Sequence, residues 1–160
     1  LRANGILGMA LLDDRAGIVW QIKADMALIW RYSNSIGAVG DPAGNGAFTL
    51  SVLAEDGVFE CIEAASGAIR WSLDLGCQPN KTSIVAGDLD GNGRDEFLVG
   101  LPDGNLVCIA EDAGRGKVLW RKEFDSGVAH PIIADVDGDG LAEIVVSTCD
   151  GLVRILKRKK

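Results

Sequence analysis

With 160 residues, 48% of them hydrophobic, the chain is long enough for one ordinary domain with a sizeable core and too apolar to be disordered. Its formal net charge of −7 argues against a nucleic-acid or anionic-membrane surface. No apolar run reaches the roughly 18–20 residues that a bilayer-spanning helix needs, so no membrane insertion is expected.

The first residue is Leu1, and Leu1–Ala10 shows no basic region followed by a long apolar stretch, so no signal peptide is visible. Ile6–Leu11, Ile18–Lys23 and Leu28–Tyr32 then read as three short strands. Next come Ile36–Gly40, the acidic loop Asp41-Pro-Ala-Gly-Asn-Gly-Ala47, Phe48–Leu53, an Asp56-Gly57 turn, Val58–Ile62 and Ile69–Leu73. The same order returns as Ser83–Gly87, the loop Asp88-Leu-Asp-Gly-Asn-Gly-Arg94, Glu96–Leu101, Asp103-Gly104, Asn105–Ala110 and Lys117–Phe124. A last round gives Pro131–Ala134, the loop Asp135-Val-Asp-Gly-Asp-Gly-Leu141, Glu143–Ser147, Asp150-Gly151 and Leu152–Leu156.

The loops begin at residues 41, 88 and 135, so the interval is 47 both times. A fixed period of this size marks a repeat architecture, in which each unit buries its core against its neighbours. Asp-Gly between two apolar runs is a strong hairpin signal, and no segment has a convincing helical period. Four antiparallel strands per repeat describe one blade of a β-propeller. The expected fold class is therefore all-β: an incomplete propeller arc with two full and two partial blades. The blades fall at about 1–33 (partial), 34–80, 81–128 and 129–160 (partial). Counting back from Gly17 as the equivalent of Gly57 places the innermost strand of the first blade upstream of Leu1. The chain thus reads as the C-terminal part of a larger propeller, whose remaining blades are its first partners.

Two of the acidic loops carry metal chemistry. Positions 1, 3, 5 and 9 are Asp88, Asp90, Asn92 and Glu96 in one, and Asp135, Asp137, Asp139 and Glu143 in the other. Alternate residues of a tight loop can turn inward around one centre, and position 7, Arg94 or Leu141, would add its backbone carbonyl. Oxygen donors without thiolate or imidazole suit Ca²⁺. Two Ca²⁺ ions would reduce the net charge to −3. An EF-hand would need Glu at position 12 with a helix beyond it, whereas Val99 and Val146 stand there in β-rich runs. In the first loop, positions 3 and 9 are Ala43 and Thr49, so Asp41 and Asn45 alone are expected to hold no metal.

The segments Ala86–Gly100 and Ala134–Val146 resemble FG-GAP and VCBS repeats, the calcium-binding blades of integrin-like propellers and of many bacterial surface proteins. Glu63–Trp71 and Gly116–Trp120 resemble the tryptophan-bearing turns of pyrroloquinoline-quinone-type propellers. These resemblances imply the fold strongly and an activity hardly at all.

Other residues have plainer readings. Cys61 and Cys108 are 47 apart with Ile155 in the next copy, so they mark a core position and not a disulfide. Trp30, Trp71 and Trp120 recur near one repeat position and are expected to pack blade on blade; Trp20 stands outside that series and keeps a carbohydrate-stacking role open. His130 beside Pro131 is the sole histidine, read as a turn residue, and Lys157–Lys160 as a solvated tail.

The expected function is a calcium-stabilised propeller module for adhesion, ligand binding or scaffolding, with a protein or carbohydrate ligand. Its expected location is extracellular, cell-surface or periplasmic, where calcium is millimolar. The rival is the propeller part of an enzyme, either a rhamnogalacturonan-lyase-like polysaccharide lyase or a quinoprotein-type dehydrogenase. Lys81, Arg94, Asp125 and Tyr32 could supply an acid–base pair, but no spacing singles them out, so no catalytic residue is assigned.

Overall fold

The computed structural model describes residues 8–12, 15, 18–23, 35–77 and 82–157. Among these there are only strands. β1 (Gly8–Leu12) pairs with β2 (Ile18–Lys23). After β3 (Ser35–Ile36), one antiparallel sheet follows in simple order: β4 (Ala38–Gly40), β5 (Thr49–Leu53), β6 (Val58–Glu63) and β7 (Ile69–Asp74). The next sheet holds β8 (Thr82–Gly87), β9 (Glu96–Gly100), β10 (Asn105–Asp112) and β11 (Arg115–Glu123). The last comprises β12 (Ile132–Ala134), β13 (Glu143–Ser147) and β14 (Val153–Leu156). β3, which lies just before β4 in the chain, joins the edge of the β8–β11 sheet in parallel with β8, Ser35 opposite Thr82. This is the arrangement of an incomplete β-propeller, and the strand bounds agree with the sequence reading to within a few residues. Leu28–Tyr32 and Trp30 lie outside the described residues.

The turns explain why the strands stop where they do. In each Asp-Gly hairpin the aspartate carboxylate accepts a hydrogen bond from the amide two residues on: Val58 (3.3 Å), Asn105 (2.9 Å) and Leu152 (3.3 Å). Gly57 and Gly104 have φ of 84° and 94°, and a Cβ there would lie 2.3–2.4 Å from the carbonyl oxygens of Cys77 and Phe124. Only glycine fits both demands. The carbonyls of the same two glycines accept from Leu75 (3.0 Å) and Phe124 (2.9 Å), which pins the end of each fourth strand to the turn.

Side-chain alternation puts the core between sheets. All of β9 is buried, with Phe97 and Val99 in a cluster with Phe59, Trp71 and Leu53 of the preceding sheet. Leu98, between them in sequence, joins Ile144 and Val146 of the following sheet. β10 divides the same way, with Val107 and Ile109 on one side and Leu106 and Cys108 on the other. A sheet covered on both faces has no solvated side, which is why these strands read as near-continuous apolar runs. Phe59 stacks on Trp71 at 5.5 Å and touches Phe97 at the same distance.

A charged clamp accompanies that packing. Arg70 donates twice to Glu111 (2.8 and 2.7 Å), and the Trp71 indole N–H donates to the same carboxylate (2.8 Å). The Glu111 side chain is only 7% exposed and Arg70 is half-buried, so β7 and β10 are joined by a pair whose carboxylate is shielded from water.

The tryptophan series needs one correction. Cys61 pairs with Trp71 and Cys108 with Trp120, each followed at once by a bulge in the register. Leu11 pairs with Trp20 ahead of the same bulge. Trp20 therefore holds this repeat position in β2, and β1 and β2 correspond to the third and fourth strands of a blade, not the second and third. The loop lengths differ between copies, so sequence intervals alone pointed to Trp30. Cys61 and Cys108 are buried and unbonded, and burial pushes their thiols up to about 11 and about 12.

The β10–β11 hairpin closes on two residues, Ala113 and Gly114, with φ of 50° and 77°. Positive φ at both positions is a type I′ turn, which a Cβ disfavours at the first. Ala113→Asn should raise stability by about 0.5–1 kcal/mol and Ala113→Val lower it by about 1 kcal/mol, read as shifts of the urea midpoint at constant m. Glu111→Gln should cost about 2 kcal/mol by the same assay, because it leaves Arg70 without its carboxylate partner.

Candidate metal centres

All three acidic loops are built on their first aspartate. Asp88 Oδ1 accepts from the amides of Gly91 (2.7 Å) and Asn92 (3.0 Å), and Oδ2 from Gly93 (2.8 Å). Asp135 does the same with Gly138 (2.7 Å), Asp139 (3.2 Å) and Gly140 (2.9 Å). Asp41 repeats it with Gly44 (2.9 Å), Asn45 (3.2 Å) and Gly46 (2.6 Å). The fourth and sixth loop residues have φ between 67° and 87°, which is why they are glycine in every copy. Position 5 closes a smaller turn: Asn45, Asn92 and Asp139 accept from the amides of residues 47, 94 and 141 at 3.0, 2.8 and 3.0 Å.

Two loops add converging carboxylates. Oxygens of Asp88, Asp90 and Glu96 lie within 4.8 Å of one another, as do those of Asp135, Asp137 and Glu143. Glu96 and Glu143 open β9 and β13, are 3% and 4% exposed, and accept from Leu89 (2.9 Å) and Val136 (3.0 Å) across the loop. The structure thus brings together positions 1, 3 and 9. Asn92 and Asp139 face their own turns, and Asp139 stands outside the convergent set. Arg94 and Leu141 are exposed and tethered through their amides. Val99 and Val146, at position 12, are fully buried in strands.

Burial raises the Glu96 carboxyl above its ordinary value; the Leu89 amide opposes this, while the charges of Asp90, Asp88 and Asp95 add to it. Desolvation would raise Asp88 too, but the amides of Gly93, Gly91 and Asn92 outweigh it and hold that carboxyl low. In the third loop Lys157 donates to Asp137 and lies 3.6 Å from Glu143 Oε1. That hydrogen bond holds Asp137 below, and Lys157 above, its usual range. Read from sequence as part of a solvated tail, Lys157 is instead seated on the loop; residues 158–160 lie outside the described residues.

The Asp41 loop shares the cradle without the carboxylates at positions 3 and 9, since Thr49 instead donates its hydroxyl to Gly40 (3.2 Å). It docks on the next loop: Asp95 accepts from the Asp41 amide (2.7 Å) and returns its own amide to the Asp41 carbonyl (3.0 Å). Asp95 and Glu111 went unnoticed in the sequence because neither recurs at the repeat interval: Phe48 and Ala142 stand where Asp95 does. His130 is exposed. Leu119, Trp120, Ile144 and Ile155 line a cleft of about 710 Å³ between the last two sheets, with Asp90 and Glu96 at its edge.

Strand order, the parallel join of β3 to β8 and tryptophan-bearing fourth strands define a propeller of the PQQ-like class. Residues 9–128 match the family described as outer membrane protein assembly factor BamB, and the chain belongs to that family. Among solved structures it is similar to BamB from Moraxella catarrhalis, at 17% identity and a TM-score of 0.61 over 88% of this chain. It is also similar in fold to BBS1N in complex with ARL6DN, at 15% identity and a TM-score of 0.50, covering 98% of this chain and 60% of that one. A stretch of 78 residues is 32% identical to the KICSTOR complex protein kaptin of Mus musculus. The chain spans 38% of the Moraxella BamB chain and 18% of kaptin.

The Asp41 carboxyl is held below its ordinary value of 3.8, first by the Gly46 amide. A lowered folded-state value means stability that is present above the unfolded-state pKa and lost as pH falls through the folded one. Asp41→Asn should therefore destabilise the protein at neutral pH. The difference from the parent should vanish as the pH drops below 3.8, measured as parallel urea midpoints across the acid range.

Proposed function

We propose that this chain is the calcium-binding part of a PQQ-like propeller that serves as a non-catalytic scaffold for protein assembly. The observation that carries the calcium reading is the pair of oxygen triads, each with one buried glutamate, built on loops of FG-GAP/VCBS pattern. Three carboxylates held within 4.8 Å of one another repel unless a cation neutralises them, and an all-oxygen set suits Ca²⁺ better than softer metals. In this reading Asp88, Asp90 and Glu96 hold one ion, and Asp135, Asp137 and Glu143 the other. Asn92 and Asp139 complete each loop, and Arg94 and Leu141 contribute their carbonyls. Each ion ties the connection between the first two strands of its blade and contributes to stability by mass action.

Scaffolding is supported by the family's description as an outer membrane assembly factor and by relatives described as members of complexes, KICSTOR for kaptin and ARL6DN for BBS1N. The same description favours a periplasmic or outer-membrane-associated location within the extracytoplasmic range expected from calcium. Among the described residues no helix is long and apolar enough to cross a membrane, which says nothing about strands. The match to PQQ-like repeats also supports a second reading, part of a quinoprotein-type dehydrogenase; dye-linked alcohol oxidation by the full-length protein with added quinone would favour it.

Calcium should raise the melting temperature and EDTA lower it again. Asp90→Ala combined with Asp137→Ala should abolish that response while leaving the metal-free melting temperature near that of the parent. Calorimetry that finds no calcium binding by the parent protein would sink the proposal.

A further inference from the structure

The seam between the β4–β7 sheet and the β8–β11 sheet carries a polar tie at each end. At one end the Asp95 carboxylate accepts from the Asp41 amide (2.7 Å), and the Asp95 amide donates to the Asp41 carbonyl (3.0 Å). The two loops meet there backbone to backbone: a Cβ on Gly44 would lie 2.6 Å from the Gly93 carbonyl oxygen. At the other end Glu111 holds Arg70 and the Trp71 indole, and Arg121 donates to the Leu75 carbonyl (3.1 Å). Continuous packing fills the ground between them. A Cβ on Gly40, next to Asp41, would lie 3.2 Å from both Asp95 Oδ2 and the Phe97 ring. Phe97 in turn meets Trp71 edge-on at 6.3 Å. Gly116 leaves room for Trp71, since a Cβ there would come within 2.5 Å of its ring. Neither tie is repeated at the next seam: Ala142 stands where Asp95 does, and Leu119, before Trp120, stands where Arg70 does.

We infer that Asp95 and Glu111 are the two points of one latch, which shuts this seam as a unit. Each tie alone is an ordinary set of charge-assisted hydrogen bonds. The coupling comes from the aromatic ground between them. Phe97 is fully buried between Gly40 and Trp71, so parting the sheets at either end must disturb that ring. Packed interfaces switch between discrete arrangements and do not deform by degrees, so the seam is closed at both ends or open at both. The two sheets then move as one body within the arc, and the latch needs no bound ion.

Two protons donated across the seam report on its ends: the Asp41 amide to Asp95, and the Trp71 indole to Glu111. In native-state hydrogen exchange of the ¹⁵N-labelled protein, both should give one opening constant. Asp95→Ala should raise that constant about tenfold at both protons, including the Trp71 indole at the far end. Glu111→Gln should raise it about thirtyfold at both, and the double variant by the product of the two factors. Asp95→Asn keeps an acceptor oxygen and should raise it by less, again at both. Amides of β13, in a sheet outside the seam, should keep the parent's rates in every variant. If each substitution moves only the proton at its own end, the ties are independent and the latch does not exist. If the β13 amides speed up by the same factors, the two protons follow global unfolding, and the inference is overturned as well.

Discussion

Everything in this arc depends on covering both faces of a sheet. β9 is buried from end to end because Phe97 and Val99 are packed against one neighbouring sheet and Leu98 against the other. A single four-stranded blade has no such arrangement available to it and would leave two apolar faces in water. The same constraint accounts for the contrast at one repeat position: Cys61 and Cys108 are almost wholly buried, while Ile155 is 56% exposed, with no further sheet against it among the described residues. The Arg70–Glu111–Trp71 clamp adds direction to this non-directional packing. Its charged hydrogen bonds form only when β7 and β10 meet in one register.

The acidic loops divide their work between positions. The first aspartate folds the loop by accepting three backbone amides, and the Asp41 loop shows that this needs no other carboxylate. The carboxylates at positions 3 and 9 add negative charge to a loop whose shape is already determined. Because the loop is folded by its first aspartate, the electrostatic cost of bringing the carboxylates together falls on the buried glutamate. Burial raises the Glu96 carboxyl, and the charges of Asp90, Asp88 and Asp95 add to that rise against the Leu89 amide.

Membership of a BamB-like family defines the propeller but not the chemistry performed on it, since propellers present ligands at surfaces assembled from several blades. The features particular to this chain lie elsewhere. They are two oxygen triads on one series of loops, a lysine seated on one of them, and an inter-loop bond through Asp95 that links the carboxylate-poor loop to its neighbour.

Repeat-level features were legible in the sequence because they depend on local chemistry. The 47-residue interval, the Asp-Gly turns, the glycine pairs of the loops and the alternating carboxylates follow from backbone angles and short-range hydrogen bonds, which one copy specifies by itself. The strand bounds and candidate metal residues came with them. Contacts between segments far apart in the chain were not legible, because they are made by residues that break the repeat. Glu111, Asp95 and Lys157 each occur once, and their partners lie 41, 54 and 20 residues away. The tryptophan register belongs to the same class: spacing alone pointed to Trp30, and only the pairing of Leu11 with Trp20 showed that Trp20 holds the repeat position. The sequence by itself determined what each blade is. The tertiary structure alone decided how the blades are clamped together and which charges face each loop, because those depend on distances that no local rule sets.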